Sequence, residues 1–170
     1  MIRSFLKITG DFVKPGGMGK RRWEKIMSNA HADMGDYWHK HFLPKHFQPG
    51  ARSKYAYEPR SKDYLQRKAY LASQGRTFKG RGPIQQGGKV DLVFTGEMAK
   101  QLISRNTIRA YPTRATVVMM GPNYLTTRFH KKRQPNKAVE VTKVTNDEAE
   151  KLAEVMGRSV QKGINQSSRG

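Results

Sequence analysis

The apolar positions of segment 89–105, KVDLVFTGEMAKQLISR, change period half-way along. Val90, Leu92 and Phe94 alternate with Asp91 and Val93 as in a half-buried strand, and Thr95-Gly96 breaks the alternation. From Glu97 on, Met98, Ala99, Leu102 and Ile103 take helical spacing. This predicts an amphipathic helix capped by Thr95, with Glu97 and Lys100 on its wet side. A strand that turns straight into a helix joins two layers, so part of the core is expected here.

The same reading carries along the chain. Phe5 to Phe12 reads as a first strand, closed by Lys14-Pro15-Gly16-Gly17 and forming with the rest of 1–19 an N-terminal strand or arm. Over 20–43 the pattern predicts a long helix. Trp23, Ile26, Met27, Ala30, Met34, Tyr37, Trp38 and His41 share its face, and Pro44 ends it. Burying each large member of that stripe is worth roughly 1.5–3 kcal/mol, so the stripe needs a cover.

Arg52, Lys54, Ala56 and Glu58 alternate with Ser53, Tyr55 and Tyr57. A strand with its tyrosines on one side is therefore expected, followed by a helix that Ser61 caps and that carries Tyr64, Leu65, Lys68 and Leu71. The glycine-rich basic stretch 75–89 reads as a flexible loop. Thr113 to Met120, TRATVVMM, has the β-branched content of an interior strand, and Val139, Val141 and Val144 suggest a last one. Thr145 and Glu148 stand at capping-box spacing ahead of a stripe of Ala149, Leu152, Ala153, Met156, Val160 and Ile164. Residues 165–170 read as a polar tail.

These elements predict a single α+β domain over 1–170. Its mostly antiparallel four- to five-stranded sheet, drawn from strands near Lys54, Leu92, Val117 and Val141, is packed by two to three helices, with extended basic loops and termini.

Charge changes this picture more than length does. The 33 lysines and arginines against 13 acids give a formal +20, which implies a polyanionic or acidic partner. The absence of cysteine removes disulfides and thiolate metal sites and fits a reducing compartment. No stretch nears the roughly eighteen apolar residues of a membrane span, and Lys7 and Asp11 interrupt any leader-like core, so a soluble chain with no membrane partner is expected.

Candidate chemistry is thin. Gly17 to Arg22, GMGKRR, fails as a phosphate loop because Lys14 and Arg21 stand where a glycine and a hydroxyl are needed. His31, His39, His41 and His46 cluster in sequence, but His39 and His41 lie roughly 200° apart on a helix and cannot share an ion there. Solvated or core-edge histidine is the simpler reading, and a nuclease using His39, His41 or His46 has no motif behind it. No H-E-x-x-H or G-x-S-x-G occurs, so no catalytic, cofactor or metal residue is assigned and no enzyme is expected. Tyrosines interleaved with Arg and Lys suit either stacking on bases or anchoring a protein contact.

One succession of features goes further. Tyr55-x-Tyr57-x-x-Arg60-Ser61-x-x-Tyr64 with Lys68, then Leu92-Val93-Phe94-Thr95-Gly96 opening a helix, then 139–164 as a closing strand and acid-capped helix, resembles tailed-phage neck and tail-completion proteins. It is most similar to the Mu-like virion-morphogenesis group and related tail terminators and head-tail connectors, over roughly Trp38 to Ile164.

The resemblance implies a non-enzymatic virion subunit in a ring, hexameric or matching the portal's symmetry, assembled in the host cytoplasm. Its implied partners are the portal or head-tail adaptor and the tail-tube proteins, with possible contact to packaged DNA. Tyr55, Tyr57, Arg60 and Tyr64 would then form intersubunit or portal-side contacts, joined by Lys79, Arg81, Lys131, Lys132 and Arg133 from the basic loops. A channel through which DNA slides is poorly served by many cations, since each phosphate contact adds affinity, so most basic side chains are expected against acidic proteins. The alternative from charge alone is a basic DNA- or RNA-binding protein.

Overall fold

The computed structural model describes residues 2–10, 12–74, 97–104, 106–122 and 136–167. The elements in chain order are β1 (Ile2–Ile8), α1 (Lys20–His41), a short 3-10 helix (Leu43–Phe47), α2 (Ala51–Lys54), α3 (Lys62–Ser73), α4 (Glu97–Ser104), β2 (Asn106–Tyr111), β3 (Arg114–Gly121), α5 (Lys137–Glu140) and α6 (Asn146–Ser167). Helix dominates, and the strands form one small antiparallel sheet in the order β1-β3-β2.

The expected four- to five-stranded sheet packed by helices is therefore corrected to a mostly helical chain with three strands. Of the four anchoring strands, the one at Val117 exists, as β3. Lys54 ends a helix, Val141 follows another, and the strand at Leu92 with its Thr95-Gly96 turn and Thr95 cap lies outside the described residues, as does the loop 75–89.

Both errors have local causes. At 54–57 the backbone donors are taken locally: Tyr55 N–H bonds Ala51 O (2.9 Å), Ala56 N–H bonds Ser53 O (3.4 Å) and Tyr57 N–H bonds Arg52 O (3.0 Å). These turns take the donors that a strand ladder would need. At 137–140 the Asn136 side chain accepts from the N–H groups of Ala138 (3.1 Å) and Val139 (3.3 Å), starting a helical turn that leaves Val139 exposed and Val141 fully buried.

The chain groups into two compact units, each drawn from three stretches. Unit 1 holds residues 1–4, 43–105 and 119–143, and unit 2 holds 5–42, 106–118 and 144–170.

In unit 2, α1 packs on α6 and on β2. Its stripe of Ile26, Met27, Ala30, Met34 and Trp38 is buried, as periodicity predicts, while Tyr37 is half-covered and His41 is exposed beside it. Gly35 lies where a Cβ would come within 3.2 Å of Ile108 Cγ2 and 3.3 Å of Val117 Cγ2, so a glycine here suits the close approach of α1 to β2 and β3. The helix ends as Pro44 requires, with Phe42 N–H on Trp38 O at 2.9 Å. β2, NTIRAY, carries a single branched aliphatic residue, Ile108, and is mostly exposed; pairing with β3 and contact with α1 hold it.

Helix α6 continues to Ser167, past the start of the expected tail, and buries Leu152, Met156 and Val160. Its capping box is closed: Thr145 N–H donates to Glu148 Oε2 and Glu148 N–H to Thr145 Oγ1, both at 3.4 Å. At that length the bonds are weak individually, so Thr145→Ala is expected to cost about 1 kcal/mol in urea-induced unfolding.

Candidate interaction site: the tyrosine-arginine segment

Unit 1 is built round the stretch that carries the sequence resemblance. Gly50, at φ 85°, turns the chain into α2, and Ala56, at φ 46°, turns it out again. A left-handed alanine costs roughly 1–2 kcal/mol, which its surroundings must offset. On either side of Ala56, Tyr55 and Tyr57 come to the same side, as the alternation predicts, although no strand holds them.

They meet His46 there. Tyr55 stacks on the imidazole with ring centroids 3.8 Å apart, Tyr57 lies 5.8 Å from Tyr55, and the Tyr57 hydroxyl is hydrogen-bonded to His46 Nδ1. All three side chains are buried. Lys143 closes the outside of the group, donating to Ala56 O at 2.6 Å with its ammonium 5.8 Å from the Tyr57 ring centroid.

Next along the chain, Glu140 takes both hands of the segment. Its Oε1 accepts from Glu58 N–H at 3.2 Å and its Oε2 from Arg60 Nη2 at 2.5 Å. Arg60 and Glu140 are 8% and 3% exposed, so the pair is held away from water and neither charge is idle. Lys68 is buried as well. Lys137 stands close enough to feel Arg60, Glu140 and Lys68. Burial first, and then the Arg60 and Lys68 charges, hold its ammonium below the usual lysine range against the pull of Glu140. Ser61 caps α3 by accepting from Tyr64 N–H at 3.2 Å, as expected.

The proposed contact residues thus divide. Tyr55, Tyr57 and Arg60 are spent inside the subunit, where their side chains offer almost no surface to a neighbour. Tyr64 is half-exposed on α3. Lys79, Arg81, Lys131, Lys132 and Arg133 lie outside the described residues.

Sequence reasoning missed His46 as the stacking partner and Glu140 as the counter-charge. The first had an available signal, since an imidazole nine residues before a tyrosine pair in a proline-bounded turn is within reach of both. The second, eighty positions from Arg60, had none. Of the other histidines, His31 Nδ1 bonds Met27 O at 2.9 Å and His39 is buried. Among the described residues, no three His, Cys, Asp or Glu side chains gather as a metal set. No helix among them is long and apolar enough to cross a membrane.

No family model, curated protein or solved structure matches this chain. The arrangement has therefore to be read from its own chemistry. A buried ion pair with a stacked aromatic trio locks distant stretches of chain together.

Proposed function

We propose that this chain is a structural virion subunit of a tailed phage, acting at the head-tail junction as a tail-completion, terminator or neck-connector protein that assembles into a ring. One observation supports it above others. The tyrosine-arginine segment and the closing stretch beginning at Val139 carry the resemblance separately, and in the fold they meet through Arg60 and Glu140. Residues that a fold needs as its internal fastening are those a family would keep through wide divergence, and a chain spending its aromatic and charged motif on shape suits a scaffolding role.

The ring contacts then fall to surfaces other than Tyr55, Tyr57 and Arg60. Light scattering of the nuclease-treated protein across a salt series, with negative-stain imaging, is expected to show a closed ring free of nucleic acid. A monomer or dimer carrying nucleic acid that salt strips away speaks against this reading and for the basic nucleic-acid-binding alternative.

A further inference from the structure

The first turn of α1 is built against the usual rule for helix starts. Its N-terminal end carries the positive pole of the helix dipole and favours acidic side chains. Here Gly19 supplies no side-chain cap, no acid stands in the first turn, and Lys20, Arg21, Arg22 and Lys25 are all exposed. Lys20 reaches Glu24 at 3.9 Å. The side chains of Arg21, Arg22 and Lys25 form no hydrogen bond or ion pair with any described residue. Such an arrangement costs stability and solves no folding problem.

Helix α6 brings more positive charge to the same end. Two contacts show that it runs antiparallel to α1. Ser159 donates to Asp33 Oδ2 at 2.6 Å, and further on Gly163 lies against Ile26, where a Cβ would fall 2.9 Å from Ile26 Cγ2. The end of α6 therefore lies beside the first turns of α1. Lys162, exposed on that stretch of α6, borders a shallow concavity of about 400 Å³ with Arg158, Gln161, Asn165 and Gln166, while Arg158 also faces Asp33 and Asp36 further along α1. The nearby acids are engaged: Asp33 accepts from Ser159, Asp36 pairs with Lys40 at 2.7 Å, and Glu154, one turn before Arg158, pairs with Lys151 at 2.6 Å.

The composition of this surface selects its partner. Protein-protein contacts centre on apolar and aromatic anchors and are depleted of lysine. In unit 2 the exposed apolar side chains Phe12 and Val144 lie along the apolar groove beside Ala149 and Leu152, near the start of α6, and Val13 and Tyr111 are exposed outside it; none of the four stands on α1 or α6 among these cations. Cations flanked by amides, without an apolar centre, match the polar, strongly positive character of nucleic-acid contacts. Single strands are held on exposed rings, whereas Trp23 beside these cations is half-buried.

We propose that the end of unit 2 formed by Lys20, Arg21, Arg22 and Lys25 of α1 with Lys162 of α6 binds the phosphate backbone of double-stranded DNA without reading its bases. The general expectation that most cations of the chain meet acidic proteins does not extend to these five. The proposal rests on the charges of unit 2 and not on the head-tail role.

The test is anisotropy of a short labelled DNA duplex of mixed sequence, titrated with the full chain over a salt series. The quadruple variant Arg21→Ala, Arg22→Ala, Lys25→Ala, Lys162→Ala is compared with Arg52→Ala, Lys62→Ala, Arg67→Ala, Lys100→Ala, which removes the same charge from exposed positions of unit 1. Circular dichroism confirms that both remain folded. The first variant is expected to lower the slope of log affinity against log salt by roughly 3 to 4 and to weaken binding at physiological salt about a hundredfold or more, with the second close to the parent.

Equal losses in both variants would reduce the effect to net charge and overturn the proposal. So would failure of the parent to bind duplex, tighter binding to the single strand, or capture of polyglutamate with the same dependence on the four residues. A ring that binds no DNA would sink this inference and leave the head-tail reading standing, while a DNA-binding monomer would do the reverse.

Discussion

Glu140→Ala is expected to cost unit 1 about 3–5 kcal/mol, because it strands the Arg60 guanidinium in the interior with its only described carboxylate partner gone. The loss has three parts. The backbone N–H of Glu58 loses its acceptor, Arg60 loses its counter-charge, and Lys137 loses a neighbour that favours its charged form. Arg60 is already stretched: its Nε and Nη1 are buried without a hydrogen-bond partner, so the guanidinium depends on Glu140 through Nη2 alone.

The double variant Arg60→Met with Glu140→Leu separates pairing from packing. Apolar groups of similar volume in place of a buried pair are neutral or stabilising in many proteins, so the double variant should recover most of what Glu140→Ala loses. Urea unfolding of the parent, both single variants and the double variant closes the cycle. A loss below about 1 kcal/mol for Glu140→Ala would show that the carboxylate is not the fastening described above.

Trp38→Ala is expected to cost unit 2 about 3–5 kcal/mol, through loss of apolar burial and the cavity left behind. Trp38 is fully buried one turn before the end of α1, and its carbonyl holds the N–H of Phe42, the last bond of the helix. Trp38→Phe keeps part of the volume and should recover a substantial part of the loss. Thermal and urea unfolding followed by circular dichroism measure both. A Trp38→Ala protein within about 1 kcal/mol of the parent would mean that the surrounding side chains collapse into the space.

How far such features could be read from sequence depends on how many residues repeat the signal. Helices α1 and α6 each run for 22 residues, so five or six turns agree on one face, and the Thr145 and Glu148 box marks where the second begins. Strand β3 is legible for a similar reason, since TRATVVMM is too apolar and β-branched to lie anywhere but inside.

The misread strands rest on much less. Alternation over 52–58 or 139–144 spans a few residues, and a helical turn with a local cap fits the same letters. At that length the competition is decided by hydrogen bonds such as those of Asn136, which a period cannot register. The site divides in the same way. That Tyr55 and Tyr57 share a side is a local property and could be read. That they face inward onto His46, and that Arg60 is neutralised by Glu140, are properties of the closed chain. An arginine next to a proline and a serine looks wet in any window of sequence.

The interleaving of the two units has a further consequence during synthesis. The apolar stripe of α1 is complete once His41 has been added, yet β2, β3 and α6, which pack with it in unit 2, all come later, and α6 begins only at Asn146. At ordinary translation speeds the ribosome needs roughly 5–20 s to cover that interval. For that time Met27, Met34 and Trp38 wait without the helix that will enclose them. The nascent chain is thus most exposed to aggregation or chaperone capture between the synthesis of α1 and that of α6, and unit 2 closes only as α6 emerges.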